Sequence, residues 1–207
     1  MGDNMFGALK AGGILMLPII LCGIFATFII IERCYYFYVT KKRDIKLMFD
    51  LKNSLAKADY VSAENSCSEA DTPTAQVVKK ALDCRAWPEQ DLKETVESEM
   101  SAVVPRYEHF LTPLGTIANI STLLGLLGTV TGNIKAFGVL GAGGTMGDPT
   151  LLAGAIGEAL VTTVAGLVVS IPSLIFYNYF VSRVNRRIAE MESNVTGVVI
   201  KISGRVK

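Results

Sequence analysis

One carboxylate stands inside a long apolar run: Glu158 is the only charged residue between Pro149 and Ser182. A carboxylate in lipid costs at least about 2.5–3.5 kcal/mol on insertion scales, so it must face protein or water. Counted from the glycine-rich stretch that precedes the run, Glu158 lies roughly 10 Å into it. Snorkelling to the interface would satisfy it, and so would a helix bundle, where a carboxyl is a candidate proton carrier. Thr129 and Thr163 stand 16 and 18 residues to either side of Thr145. If antiparallel helices join there, the two threonines share a depth. Thr162 adjoins that level. A hydroxyl both donates and accepts, so such a level can order water or receive a migrating ion. A lone helical threonine would instead bond a carbonyl of its own preceding turn.

Other chemistry is sparse. His109 is the only histidine, which argues against a zinc site or a histidine-dependent triad. Cys22, Cys34, Cys67 and Cys84 form no CxxC or other metal-ligand spacing and are read as free, reduced thiols. Neither a metal nor another cofactor is expected, and no nucleophile–base pair suggests an enzyme. A formal net charge of +1 gives no support for nucleic-acid binding.

The elements that must carry these residues are membrane helices. Half of the 207 residues are apolar, and three stretches lack charge almost completely. Ala11–Ile31 has 21 residues, enough at about 1.5 Å each to cross a hydrocarbon layer of roughly 30 Å. Phe110–Ile134 is the second, and the third extends from Pro149 to Ser182. The first exceeds the apolar core of a signal peptide, and Glu32-Arg33-Cys34-Tyr35-Tyr36 follows it in place of a cleavage site, so it is read as an anchor. Wound at 100° per residue, the second span places Ala118, Ser121, Gly125, Gly128, Thr129, Gly132 and Ala136 on one stripe. Leu123, Leu126, Leu127, Val130, Ile134 and Phe137 fall opposite. The third span divides likewise, with Glu158, Thr162, Thr163, Gly166, Ser170, Ser173 and Tyr177 on one sector. Small residues let helix backbones approach closely, so Gly125, Gly128, Gly132 and Gly166 are expected to serve packing. Pro172 withholds an N–H from the Val168 carbonyl, which Ser170 or Ser173 could satisfy instead.

Lys and Arg cluster after the first span (Arg33, Lys41, Lys42, Arg43, Lys46) and after the third (Arg183, Arg186, Arg187), while 141–149 holds no cation. This bias predicts an N-terminus outside and a C-terminus inside. The expected order is a periplasmic 1–10, spans at 11–31, 111–140 and 151–182, a cytoplasmic helical insert at 32–110, a periplasmic hairpin loop at 141–150 and a cytoplasmic C-terminal helix at 183–207. Between Arg33 and Phe110 the insert balances 12 Lys/Arg against 13 Asp/Glu. Leu92, Val96, Met100 and Val103/Val104 recur at helical spacing there. Pro73 and Pro88 are expected in helix first turns, with Thr72 as an N-cap. The fold class is thus all-α, a polytopic membrane protein with three spans.

Leu124-Gly125-Leu126-Leu127-Gly128-Thr129-Val130, followed by Gly132 and Ala136-Phe137, resembles the second-span signature of the MotA/TolQ/ExbB proton-channel family. Ile156-Gly157-Glu158-Ala159-Leu160-Val161-Thr162-Thr163-Val164-Ala165-Gly166-Leu167, running on to Ile171-Pro172 and Tyr177-Asn178, resembles its third-span signature. Three spans and this length are similar to the ExbB and TolQ branch. The resemblance implies a bacterial inner-membrane ring, a homopentamer, enclosing single-span ExbD- or TolR-like helices whose aspartate carries the proton. It implies an ion path lined by Thr129, Thr163, Glu158 and Thr162, and force passed to a TonB- or TolA-like protein. Thr131 and Thr122 depart from the family pattern, and Lys135 is an unexpected cation near the end of the second span.

The function expected is a proton-conducting stator subunit powering TonB-dependent import through the outer membrane. A TolQ-like role in envelope maintenance is the alternative within the family. A small-solute transporter is the alternative from another class, disfavoured because three spans without internal repeats suit alternating access poorly.

Overall fold

A computed structural model describes residues 12–142 and 149–203, so the N-terminal segment and most of the expected hairpin loop, Thr145 included, lie outside the described residues. The described residues form six helices and no strand: α1 Met16–Ala56, α2 Tyr60–Ala70, α3 Pro73–Asp83, α4 Glu89–Glu108, α5 Leu111–Ala142 and α6 Pro149–Ile202. Three helical stretches are long and apolar enough to cross a membrane. Neither α1 nor α6 stops at the end of its apolar run; each continues without a break into charged sequence. The chain divides into two compact units, one of residues 1–31 and 110–179 and one of residues 32–109 and 180–207.

The apolar unit is built from the start of α1, from α5 and from the first part of α6. Its two-faced helices obey the pattern of small against bulky residues. Ala118, Ser121, Gly125, Gly128, Gly132 and Ala136 are buried on α5, whereas Leu123, Leu126, Leu127, Val130, Ile134 and Phe137 are exposed. On α6, Ala155, Ala159, Thr162, Gly166, Ser170 and Ser173 are buried, and Leu160, Val164, Leu167, Val168, Ile171 and Leu174 face outward. Bulky exposed faces of this kind suit lipid, because hydrocarbon tails compete with them for nothing. The helix continues through Pro172. The two serines beside it bond elsewhere than the Val168 carbonyl: Ser173 Oγ donates to Val169 O at 2.6 Å, and Ser170 Oγ accepts from Thr122 Oγ1 at 2.6 Å.

The charged unit has an ordinary globular core. Leu47, Leu51, Val77, Val78, Leu82, Leu92, Val103, Tyr107, Phe180 and Met191 are almost wholly buried, and the Phe37 and Phe180 rings stack at 5.8 Å. Of the helical repeat read in the insert, Leu92, Val96 and Val103 are buried while Met100 and Val104 are half-buried. Thr72 caps α3, its hydroxyl accepting from Ala75 N at 3.2 Å with Pro73 as first helical residue. Pro88 is itself the cap position of α4, one residue before the turn expected to hold it. Its fixed φ serves that position, but it offers no side-chain acceptor, and α4 begins uncapped.

Candidate ion path

The stripe shared by α5 and α6 sets the local geometry. A methyl group added at Gly128 would collide with the Thr162 side chain, and one added at Gly132 would collide with Ala159. At Gly166 it would meet Gly125 Cα at 3.0 Å. The two backbones are therefore as close as side chains permit, and glycine is required where they cross.

Within that contact the polar groups have definite partners. Thr163 Oγ1 donates to the Gly125 carbonyl of the facing helix at 2.9 Å and lies 3.2 Å from Ala159 O of its own. Thr129 Oγ1 donates back to Leu126 O at 2.7 Å. Thr162 is buried, its hydroxyl 2.8 Å from Ala159 O. Glu158 Oε1 accepts from Lys135 Nζ at 2.7 Å. The antiparallel register that pairs Gly125 with Thr163 and Lys135 with Glu158 leaves Thr129 and Thr163 within about one helical turn of the same level, but their hydroxyls do not bond each other. A hydroxyl that donates to a carbonyl keeps its lone pairs outward, so Thr129 and Thr163 can still accept from a proton donor. The Thr162 side chain occupies the space above Gly128.

Three groups at this contact were not assigned a role from sequence. Lys135 pairs with Glu158, and counting outward from Thr145, as for the threonines, places them 10 and 13 residues away. That count could have paired them. Thr122 bonds Ser170 across the helices, a contact that only the register reveals. Ser121 is fully buried with its hydroxyl unpartnered.

The charged unit carries a second polar cluster. Asp44 and Arg187 are more than nine-tenths buried, and Arg187 Nη1 donates to Glu190 Oε2 at 3.0 Å. Tyr107 OH lies 3.3 Å from Thr74 Oγ1. Burial pushes the Asp44 carboxyl above its ordinary value, more than hydrogen bonding to Thr72 and Thr74 and the Arg187 charge pull it down. Burial also pushes the Tyr107 phenol up to about 12. No nucleophile stands with a base in this cluster, and its chemistry is that of a structural polar core.

With this geometry in place, the sequence profile of the MotA/TolQ/ExbB proton channel family matches residues 69–193. The chain belongs to this family. ExbB-like protein 3 of Synechocystis sp. is 33% identical over 180 residues, covering 86% of each chain. The biopolymer transport protein ExbB of Neisseria gonorrhoeae is 27% identical over 165 residues, covering 73% of each. The Tol-Pal system protein TolQ of Haemophilus influenzae is 35% identical over 101 residues, covering 47% of this chain and 44% of its own. As a MotA/TolQ/ExbB member the chain is a multi-pass membrane protein of a proton-channel family in its ExbB/TolQ branch. Thr129, Lys135, Glu158, Thr162 and Thr163 all lie inside the matched segment.

Proposed function

We propose that this chain is the proton-conducting stator subunit of an energy-transducing motor in a bacterial inner membrane, with its N-terminus periplasmic and its C-terminus cytoplasmic. Copies of it, five by family resemblance, form a ring around an ExbD- or TolR-like single-span helix. Protons crossing between ring and helix drive a change in that helix, which a TonB-like protein transmits outward. A membrane potential supplies about 2.3 kcal/mol per proton per 100 mV for the step.

One observation carries the reading. Thr129, Thr163 and Glu158, the groups able to exchange a proton, line one stripe of a helix pair whose opposite faces are bulky and lipid-compatible. The α5–α6 contact uses up only part of that stripe: Thr129, Glu158 and Thr163 stay half-buried, and their outward lone pairs suit a polar partner helix. The import role is favoured over TolQ-like envelope maintenance because similarity to ExbB-like proteins extends over most of the chain, whereas similarity to TolQ extends over less than half.

The test is proton flux in inverted membrane vesicles holding the chain with its single-span partner. Thr129→Val and Thr163→Val should each abolish flux with ring assembly intact, and Glu158→Gln should give an intermediate loss. Wild-type flux in both valine variants would overturn the path. Labelling from outside should reach a cysteine introduced at Thr145 but not one at Lys57 or Ser193. Outside labelling at Lys57 would reverse the orientation.

A further inference from the structure

Glu158 is the only carboxylate on α5 or on α6 before Glu190, and Lys135 is the only cation on α5. The two are joined at 2.7 Å, with Lys135 more than half exposed and Glu158 about a quarter exposed. A third segment meets them. Gly13, just before α1, lies so close that a Cβ there would collide with the Glu158 carboxylate, and its φ of 64° is one that glycine tolerates best. The carboxylate is thus held by an ammonium on one side, with the Gly13 backbone close on another.

We propose that Lys135 is a specificity-determining residue of the ion path: by holding Glu158 as a neutral pair, it admits protons and turns sodium ions away. The inference rests on the ion-path reading above. Rings of uncompensated Asp or Glu favour cations in pores. Here each Glu158 is already paired with an ammonium through Oε1, so this level of the ring presents no uncompensated carboxylate charge to draw sodium out of its hydration shell. The exposed ammonium adds repulsion toward any cation that arrives as an ion. A proton has neither difficulty. It moves by exchange of hydrogen bonds through water and hydroxyls, so it needs no cage of ligands, and Thr129 and Thr163 keep lone pairs available for that exchange.

Lys135→Met removes the cation while keeping most of the side-chain volume. In the same vesicles, proton flux is read with a pH-sensitive dye and sodium entry with radioactive sodium. Wild type should pass protons at a rate indifferent to added sodium. Lys135→Met should raise sodium entry at least about tenfold, the order expected from deleting one unit charge several ångströms from the path at the effective dielectric of a protein–water boundary. Added sodium should then slow its proton flux. Lys135→Gln, which also removes the cation, should admit sodium in the same way should Lys135→Met fail to assemble, and Lys135→Arg, which keeps it, should exclude sodium while still passing protons. Sodium exclusion at the wild-type level in an assembled, proton-conducting Lys135→Met or Lys135→Gln would overturn the proposal while leaving the ion path standing, and so would sodium entry through Lys135→Arg. A wild type that passes neither ion would remove the ion path itself and this role with it.

Discussion

The hydroxyl of Thr163 donates to the main-chain carbonyl of Gly125 on the facing helix, 2.9 Å away. A side chain on α6 is thereby fixed to a backbone position on α5 where a Cβ would stand only 3.3 Å from the Thr163 main chain. Thr129 makes no such bond and turns to Leu126 of its own helix. The two threonines are matched in depth but differ in what holds them.

That difference separates stability from transport. Thr163→Val should lower thermal stability in detergent by about 1 kcal/mol, the usual net worth of a hydrogen bond. Thr129→Val should leave stability nearly unchanged. Transport should fail in both. Melting curves of the two variants, compared at equal expression, check the contrast; a larger loss in Thr129→Val would contradict the assigned bonds.

Glycines on α5 should divide by position. Gly128→Ala places a methyl group in the Thr162 side chain and should destabilise by about 1–3 kcal/mol, as overpacking does. Nothing lies within 4 Å of a Cβ at Gly138. Gly138→Ala should therefore be neutral or stabilise by up to about 1 kcal/mol through helix propensity alone. Thermal unfolding of both variants decides this.

Asp44 should couple stability to pH. Its folded-state carboxyl sits above the ordinary value because burial penalises the charge. A group raised in this way contributes fully below its unfolded pKa, near 3.8, and loses that contribution as pH rises through the folded value. Asp44→Asn stays neutral, so it should be more stable than wild type at neutral pH, with the advantage shrinking as pH falls toward 4. An advantage that grows on acidification would show that Arg187, rather than burial, governs the site.

Thiol reactivity should follow burial. Cys34 is exposed, while Cys67 and Cys84 are buried, and burial pushes the Cys67 thiol up to about 11. At neutral pH a water-soluble maleimide should label Cys34 quickly and leave Cys67 and Cys84 unmodified until the charged unit unfolds. Mass spectrometry of labelled peptides reads the order directly.

Much of the apolar unit was legible because lipid enforces a simple rule: small residues go where helices meet, bulky ones go outside. The alternation of Gly125, Gly128 and Gly132 with Leu123, Leu126 and Leu127 carried that rule unambiguously. Thr72 was equally legible, since a cap is a local matter of a few residues. The partners of polar groups were harder. Whether Thr163 bonds Ala159 or Gly125 depends on the axial offset of two helices to within part of a turn, and no local pattern encodes it. Lys135 looked like an intrusion because its partner lies 23 residues away. The Asp44 cluster was invisible for the same reason: α1, α3, α4 and α6 each contribute only one or two members to it.

The Lys135–Glu158 pair also bears on how α5 and α6 find each other during insertion. Docking one turn out of step would bring a Cβ-bearing residue such as Ala136 or Thr129 to crossings where an added Cβ collides. Such a slip would carry Lys135 about 5.4 Å from its partner and strand two opposite charges at the edge of hydrocarbon, each unfavourable by kilocalories. The ion pair thus adds a match of charge to the register that the glycine contacts select.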